Sequence, residues 1–311
     1  MSTPFIAVDW GTTHLRAYRI GADLGRLSSI DQIEQRRGPG VTAVASNAFA
    51  TTLRATIDDW LDADQPLPVL LSGMVTSTLG WHEVPYVDCP ADIDALVATS
   101  HTLPFDTTDV TLIGGARCTN PLALPDVLRG EELQVLGVTT ADEESLVIVP
   151  GTHNKWVAVR HGRIVSFVTV MTGELYALLT RYSVLVANDA EQSDDEAAFD
   201  AGLDAVATAG IDNALALLFS TRSCQLSGEL QKTSAAAYLS GLVIGTDVRL
   251  GLRLAERSNW PTINLRVVAE PTLAERYVRA LRHAGVDATT VPAWRASLAG
   301  LRRFLDACNK S

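Results

Sequence analysis

The sequence predicts an α/β fold built as two lobes, and three observations carry that expectation. Strand and helix signals alternate to the end of the chain, which calls for at least two sheets. An apolar strand followed by Gly11-Thr12 and then β-type residues returns at Gly151-Thr152, about one domain length later, as duplication of a whole lobe would produce. The chain has 311 residues, 47% of them hydrophobic, enough for two cores rather than one.

The elements follow in order. In "FIAVDWGTTHLRAYRI", strand signals at 5–8 and 15–20 flank Gly11 and predict a hairpin. Ser46 stands as an N-cap before Phe49, Leu53, Ile57 and Trp60, a helical stripe. "LPVLLSGMVTSTLGW" reads as a strand over 67–71 opening into a loop of Gly, Ser and Thr. "VTLIGGARC" is a strand running into Gly114-Gly115, and "LRGEELQVLG" begins a helix rich in carboxylates. "SLVIVPGTHNKWVAVRHGRIVSF" is the second glycine hairpin. An amphipathic helix then starts at Thr172, and "DDEAAFDAGLDAVATAG" is another, with acids favourably placed in its first turn. After the long helix of "TSAAAYLSGLVIGTDVRLGLRLAE", strands at "INLRVVA" and "DATTV" lead into helices at "TLAERYVRALRHAG" and "RASLAGLRRFLDAC". The polar stretch 139–144 marks the boundary, giving lobes over 1–141 and 142–311.

Composition excludes several classes. A net charge of −11 argues against nucleic-acid or anionic-membrane partners. Cys89, Cys118, Cys224 and Cys308 are scattered without a C-x-x-C pair, so neither a disulfide framework nor a structural zinc site is expected. The N-terminus has no signal-peptide pattern and no apolar run reaches spanning length, so the expectation is a cytoplasmic protein. The sequence leaves room for a homo-oligomer without specifying one. There is no G-x-x-x-x-G-K-[ST], no G-x-S-x-G and no H-E-x-x-H. "RRGPGVTA" (36–43) mimics a dinucleotide fingerprint, but it follows a charged segment rather than a strand.

The chemistry concentrates in the turns. A glycine turn with flanking threonines offers backbone and hydroxyl donors to phosphate oxygens, which marks Gly11, Thr12 and Thr13. Asp9, at the end of the incoming strand, is placed to hold magnesium through water beside those phosphates. An ordinary hairpin with a turn-capping aspartate is an equal reading of the short motif alone. The second turn adds Gly151 and Thr152, with His153 as a contact candidate. Lys155, one of only three lysines, is a candidate for neutralising phosphate or a substrate carboxylate. Glu131 and Glu132 are candidates for the base that accepts a hydroxyl proton in phosphoryl transfer; plain helix-start acids are the competing reading.

With these pieces assembled, the sequence resembles the 2-dehydro-3-deoxygalactonokinases, sugar-acid kinases of the actin–hexokinase–heat-shock-chaperone ATPase superfamily. The resemblance rests on "AVDWGTTHLRA" (7–17), "SGMVTSTLGWHEVPYVDCPA" (72–91), "VLRGEELQVLG" (127–137), "VPGTHNKWV" (149–157), "FVTVMTGELYALL" (167–179), "LSGLVIGTDV" (239–248) and "TLAERYVRAL" (272–281). It implies two ribonuclease-H-like lobes around a central nucleotide cleft, with the sugar on the first and the adenosine on the second. It implies ATP with Mg2+ as cofactors, and phosphorylation of the terminal hydroxyl of 2-dehydro-3-deoxy-D-galactonate in galactonate catabolism. Asp9 would then work through magnesium, and Glu131, with Glu132 second, would be the base. Gly11, Thr12, Thr13, Gly151, Thr152, Lys155, Gly241 and Gly245 would meet the nucleotide. Trp10, Arg16, Gly73, Met74, Ser77 and His153 would meet the sugar acid, with Arg16 on its carboxylate. Three departures stand out: Thr76 where the family has glycine, Leu133 after the paired glutamates, and Glu270-Pro271 where the adenosine-side strand ends in small residues. They keep open a kinase for another sugar or sugar acid, or a sugar-acid sensor without catalysis.

Overall fold

The structure, a computed structural model, describes residues 3–21, 30–62, 64–186 and 191–310. Its first strand shows why the elements form as they do. β1 (Phe5–Trp10) is apolar on successive residues, not alternate ones, and Phe5, Ile6, Ala7 and Val8 are all fully buried. Such a strand belongs in the middle of a sheet covered on both faces. β2 (His14–Ile20) and β3 (Glu34–Pro39) follow antiparallel. α1 (Phe49–Ile57) leads to β4 (Val69–Ser72), which lies parallel to β1 on its other side. The sequence then gives β5 (Val87–Asp88), α2 (Ile93–Thr99), β6 (His101–Phe105), β7 (Thr108–Leu112), β8 (Ala116–Thr119), β9 (Pro125–Leu128) and α3 (Glu131–Val138). The main sheet has the order β3-β2-β1-β4-β7-β6, with a small sheet β5-β8-β9 beside it. Trp10, Phe49, Leu53, Ile57 and Trp60 pack with the β1, β2 and β4 side chains into this unit's core.

Helix α1 starts without the expected cap. Its N-cap is Ala48, which makes no side-chain cap bond, because a tight turn from Ala45 to Ala48 separates Ser46 from the helix.

The chain continues with β10 (Glu144–Val149), β11 (Asn154–Arg160), β12 (Arg163–Val170), α4 (Thr172–Tyr182), α5 (Glu196–Ala209), α6 (Ala214–Leu218), α7 (Ser220–Ser227), α8 (Ala235–Arg257), β13 (Arg266–Ala269), α9 (Pro271–His283) and β14 (Thr289–Pro292), which make up the second unit apart from the end of β11 and the first half of β12. Its sheet order, β12-β11-β10-β13-β14, repeats β3-β2-β1-β4-β7 of the first. The twofold glycine-turn pattern thus marks two copies of one topology.

The final helix, α10 (Ala293–Cys308), corrects the assignment of 142–311 to one lobe. The chain divides into residues 1–143, 159–166 and 293–311 on one side, and 144–158 and 167–292 on the other. α10 belongs with α3 because two glycines let the helices touch backbone to backbone. A Cβ on Gly300 would lie 2.0 Å from Leu133 O, and one on Gly137 would lie 2.2 Å from Ala296 O. Arg303 adds hydrogen bonds from its guanidinium to the carbonyls of Leu136 and Thr139, at the C-terminal end of α3.

Candidate active site

At its C-terminal end β1 leaves the core. Asp9 sits there with its side chain 46% exposed, paired in register with Arg16 of β2 and Ser72 of β4. Register brings the Arg16 guanidinium to 3.8 Å from the Asp9 carboxylate. The turn that follows is tied down from below. Gly11, Thr12 and Thr13 give their carbonyls to the N–H groups of Val41, Thr42 and Gly40, and the Thr42 hydroxyl also donates to Thr12 O at 2.8 Å. Thr12 and Thr13 themselves are exposed. The 36–43 segment, set aside as a false fingerprint, is thus the support of the first turn.

Gly73 and Gly130 make room beside Asp9. Both have positive φ, +90° and +108°, which glycine adopts without strain. A Cβ on Gly73 would stand 3.3 Å from Asp9 Oδ1, and one on Gly130 would stand 3.6 Å from the Gly73 Cα. The result is a cavity of about 160 Å³ where Asp9, Ser72, Arg129, Gly130, Glu131 and Ser297 meet. Loss of water around the carboxyl as the surrounding loops close on it pushes Asp9 above its ordinary range; Arg16 works against this and the negative charge of Glu131 adds to it.

The two glutamates part company. Glu131 lines the cavity, and its Oε2 accepts the Arg129 N–H at 3.0 Å. Glu132 turns inward, is fully buried, and accepts the Gly130 N–H at 2.6 Å. It does not reach the cavity, which corrects its place among the catalytic candidates. Burial first, and Glu131 second, push the Glu132 carboxyl up to about 8. It is therefore held mainly in its protonated form at neutral pH.

Several further candidates have other work. Trp10 is fully buried, donates to Pro39 O at 2.9 Å and packs edge-on against Phe49, so it is core and not a wall for sugar. Met74 packs on the same core. The Ser77 hydroxyl donates to Met74 O at 2.7 Å and caps its own turn. Thr76 is fully buried, and its hydroxyl receives Arg129 Nη1 at 2.6 Å, so this departure serves the loop and not a ligand. Arg129 also reaches Thr76 O and Val84 O, and stacks 4.2 Å from the Tyr86 ring centre.

In the second unit the turn Gly151-Thr152-His153 is held from two sides. Gly151 N–H donates to Asn154 Oδ1 at 2.8 Å, so that donor is used within the turn. Thr152 O accepts the Glu174 N–H at 2.9 Å, and Gly173 presses against Gly151, where a Cβ would meet Gly151 O at 2.2 Å. His153 and Glu174 pair at 2.5 Å. Lys155 does not project from the turn; it is buried on β11 with its Nζ 2.7 Å from Thr169 Oγ1 on β12. Gly241 and Gly245 are packing residues, not nucleotide contacts. They face α5, where a Cβ on Gly241 would lie 2.1 Å from Phe199 O, and one on Gly245 3.0 Å from the Leu203 side chain. Glu270 and Pro271 form the start of α9, with proline in its favoured first-turn place. A cavity of about 120 Å³ lies beside the turn, lined by Gly151, Tyr176, Val243, Ile244, Leu273 and Arg276 among others.

Beneath the turn lies a residue that sequence reasoning passed over. Asp247, midway along α8 and 1% exposed, accepts hydrogen bonds on Oδ2 from Asn154, from Thr172 at 2.9 Å and from Tyr277 at 2.6 Å. Its Oδ1 accepts from Trp156 at 2.9 Å. Burial raises its carboxyl above the usual range, and the four donors pull the other way. The signal was present: Leu239, Val243, Asp247 and Leu254 share one helical stripe, and a charge among apolar core positions needs partners.

A family profile described as 2-keto-3-deoxy-galactonokinase matches residues 9–304. The chain belongs to the 2-keto-3-deoxy-galactonokinase family. It is 33% identical over 310 residues to the 2-dehydro-3-deoxygalactonokinase of Escherichia coli K12, covering 99% of each chain. It is 33% identical over 301 residues to a probable 2-dehydro-3-deoxygalactonokinase of Rhizobium meliloti, covering 96% of this chain and 95% of that one. A crystal structure from Sinorhizobium meliloti, provisionally given the same enzyme name, matches at TM-score 0.83 and 31% identity, covering 97% and 98%. The activator of 2-hydroxyisocaproyl-CoA dehydratase from Clostridium difficile, solved with bound ADPNP, matches at TM-score 0.51 and 12% identity, covering 99% and 97%. That last likeness concerns the fold alone, the α/β fold of the actin- and hexokinase-type ATPases. This galactonokinase-family chain is accordingly a carbohydrate kinase that uses ATP. Among its described residues no single helix is long and apolar enough to cross a membrane.

Proposed function

We propose that the chain transfers the γ-phosphoryl group of ATP to the terminal hydroxyl of 2-dehydro-3-deoxy-D-galactonate, with Glu131 as general base. The observation that carries the residue assignment is the small cavity shared by Asp9, Gly130 and Glu131 at the end of β1. Glu131 takes the hydroxyl proton as the sugar oxygen bonds to the γ-phosphorus, the bond to the β-phosphate oxygen breaks, and ADP leaves. Thr12 and Thr13 on the first turn, and Thr152 on the second, offer donors to phosphate oxygens. Arg16, exposed beside Asp9, serves the anionic groups of substrate or phosphate.

The residues fit magnesium brought in with ATP. Asp9 is a half-exposed carboxylate whose desolvation and repulsion from Glu131 a cation would offset, and among the described residues no group of three acidic, His or Cys side chains forms an all-protein cage. One carboxylate plus waters and phosphates suits that ion. Bound at Asp9, it would neutralise charge on the β- and γ-phosphates. The cavity beside the second turn, with Tyr176, Val243, Ile244 and Leu273, offers apolar surface for the nucleoside.

The test is ADP release from MgATP with 2-dehydro-3-deoxygalactonate, its gluconate epimer, galactonate, glucose and glycerol. Turnover confined to the first compound, and lost by about 10²–10⁴-fold in Glu131→Gln, is the expected result. Turnover with another panel member moves the substrate. Binding of the sugar acid without any turnover would favour a sensor.

A further inference from the structure

We infer that Asp247 is a positioning residue for the nucleotide: it sets the shape of the second phosphate turn from beneath. The inference rests on the kinase reading above and adds the device that holds one of its phosphate turns.

The two turns are not built alike. Laid over one another, Gly11-Thr12 on Gly151-Thr152, Asp9 of the first falls on Val149 of the second. The second turn therefore has no carboxylate at the end of its incoming strand, and its organising carboxylate comes from a helix instead. Asp247 acts through two arms. On one, it accepts from the side-chain nitrogen of Asn154, which leaves the Asn154 oxygen aimed at the Gly151 N–H, 2.8 Å away. The same nitrogen also donates to the Tyr277 hydroxyl, which itself donates to Asp247; an amide freed from this pair could turn over and present nitrogen to that N–H, a repulsive pairing. On the other arm, it accepts from the Thr172 hydroxyl, the first residue of α4. The next two residues of α4 clamp the turn, Gly173 by contact with Gly151 and Glu174 through its N–H to Thr152 O. Tyr277 and Trp156 fill the remaining acceptor positions, so the carboxylate cannot swing away from either arm. Thr152 and His153 are thereby fixed at both ends by bonds that lead back to one side chain.

Asp247 itself is buried beneath the turn, so its effect passes through Asn154 and Thr172 rather than by contact with ATP. Removing it should loosen nucleotide binding and touch the sugar-acid side only through His153.

The experiment compares wild type, Asp247→Asn and Thr172→Val in three readouts: thermal melting, direct titration with a non-hydrolysable ATP analogue, and steady-state KM for each substrate. In Asp247→Asn, the KM for ATP and the dissociation constant of the analogue should rise about tenfold or more, with the KM for sugar acid within about threefold of wild type. Thr172→Val, which cuts one arm, should raise the KM for ATP by a smaller factor with little change in melting. A merely structural role would lower the melting temperature and the active fraction while leaving both KM values in place, and that result overturns the inference. Should Asp247→Asn fail to fold, Thr172→Val decides, and an unchanged ATP affinity there refutes it. If wild type fails to bind the analogue at all, the nucleotide reading itself falls, which is a different failure.

Discussion

Replacing Glu132 by glutamine should make the protein more stable, and increasingly so as pH rises. The side chain is fully buried and holds the Gly130 N–H at 2.6 Å, a bond that a glutamine oxygen can also accept. Its carboxyl has an ordinary value of 4.5 and is pushed up to about 8 in the folded chain, by burial and by the neighbouring Glu131. Below the lower value both folded and unfolded chains are protonated there, and the stability tied to this proton is fully present. As pH rises the unfolded chain releases the proton first, so stability falls until the folded chain also ionises near the upper value. Each pH unit inside that window is worth about 1.4 kcal/mol. Between about pH 6 and about pH 8, wild type should lose about 2–3 kcal/mol that Glu132→Gln keeps, all other groups being shared. Urea unfolding followed by tryptophan fluorescence, run on both proteins at both pH values, measures this as a difference of differences. Parallel pH profiles for the two proteins would refute the buried-proton account of Glu132.

Three other substitutions probe the same site and its support. Gly73→Ala puts a side chain on a residue at φ +90°, 3.1 Å from Trp10 O and 3.3 Å from Asp9 Oδ1; it should cost about 1–3 kcal/mol and lower kcat, read by melting and by ADP release. Arg129→Met strips the guanidinium from Thr76 and Val84; a loss of about 2–4 kcal/mol in urea unfolding is expected, because buried acceptors lose a charged donor. Gly300→Ala drives a methyl to 2.0 Å from Leu133 O and must part α10 from α3; it should destabilise by about 2 kcal/mol or more and lower kcat, since α3 carries Glu131. Normal melting and normal turnover in that variant would contradict the close helix crossing.

Much of this was legible in the sequence because it is local. The two glycine hairpins, the helix start at Glu131 and the repeat of one topology are written in short-range pattern, and the structure places strands and helices accordingly. What stayed hidden depends on distant partners. Trp10 was expected to meet the sugar acid from the family resemblance, but β1 is covered on both faces and the indole lies in the core. Gly241 and Gly245 looked like ligand glycines until α5 was found lying across them. Thr76 looked like a change in the sugar pocket, yet its hydroxyl answers an arginine far along the chain. The buried carboxylate of Asp247 draws four donors from three separate elements, β11, α4 and α9, which no local window contains.

The return of α10 to α3 has a bearing on how the enzyme is made. During synthesis the strands of the first unit emerge early, and domains generally fold as they leave the ribosome. Yet α3 then presents to solvent the face that Gly300 and its neighbours will cover, and it keeps that face open while the whole of the second unit is translated. The segment that carries the proposed base is therefore completed only after the second unit, although it was synthesised before it. A nascent chain carries its phosphate turns well before it has a settled Glu131, so catalytic competence should arrive abruptly with α10 and not accumulate with chain length.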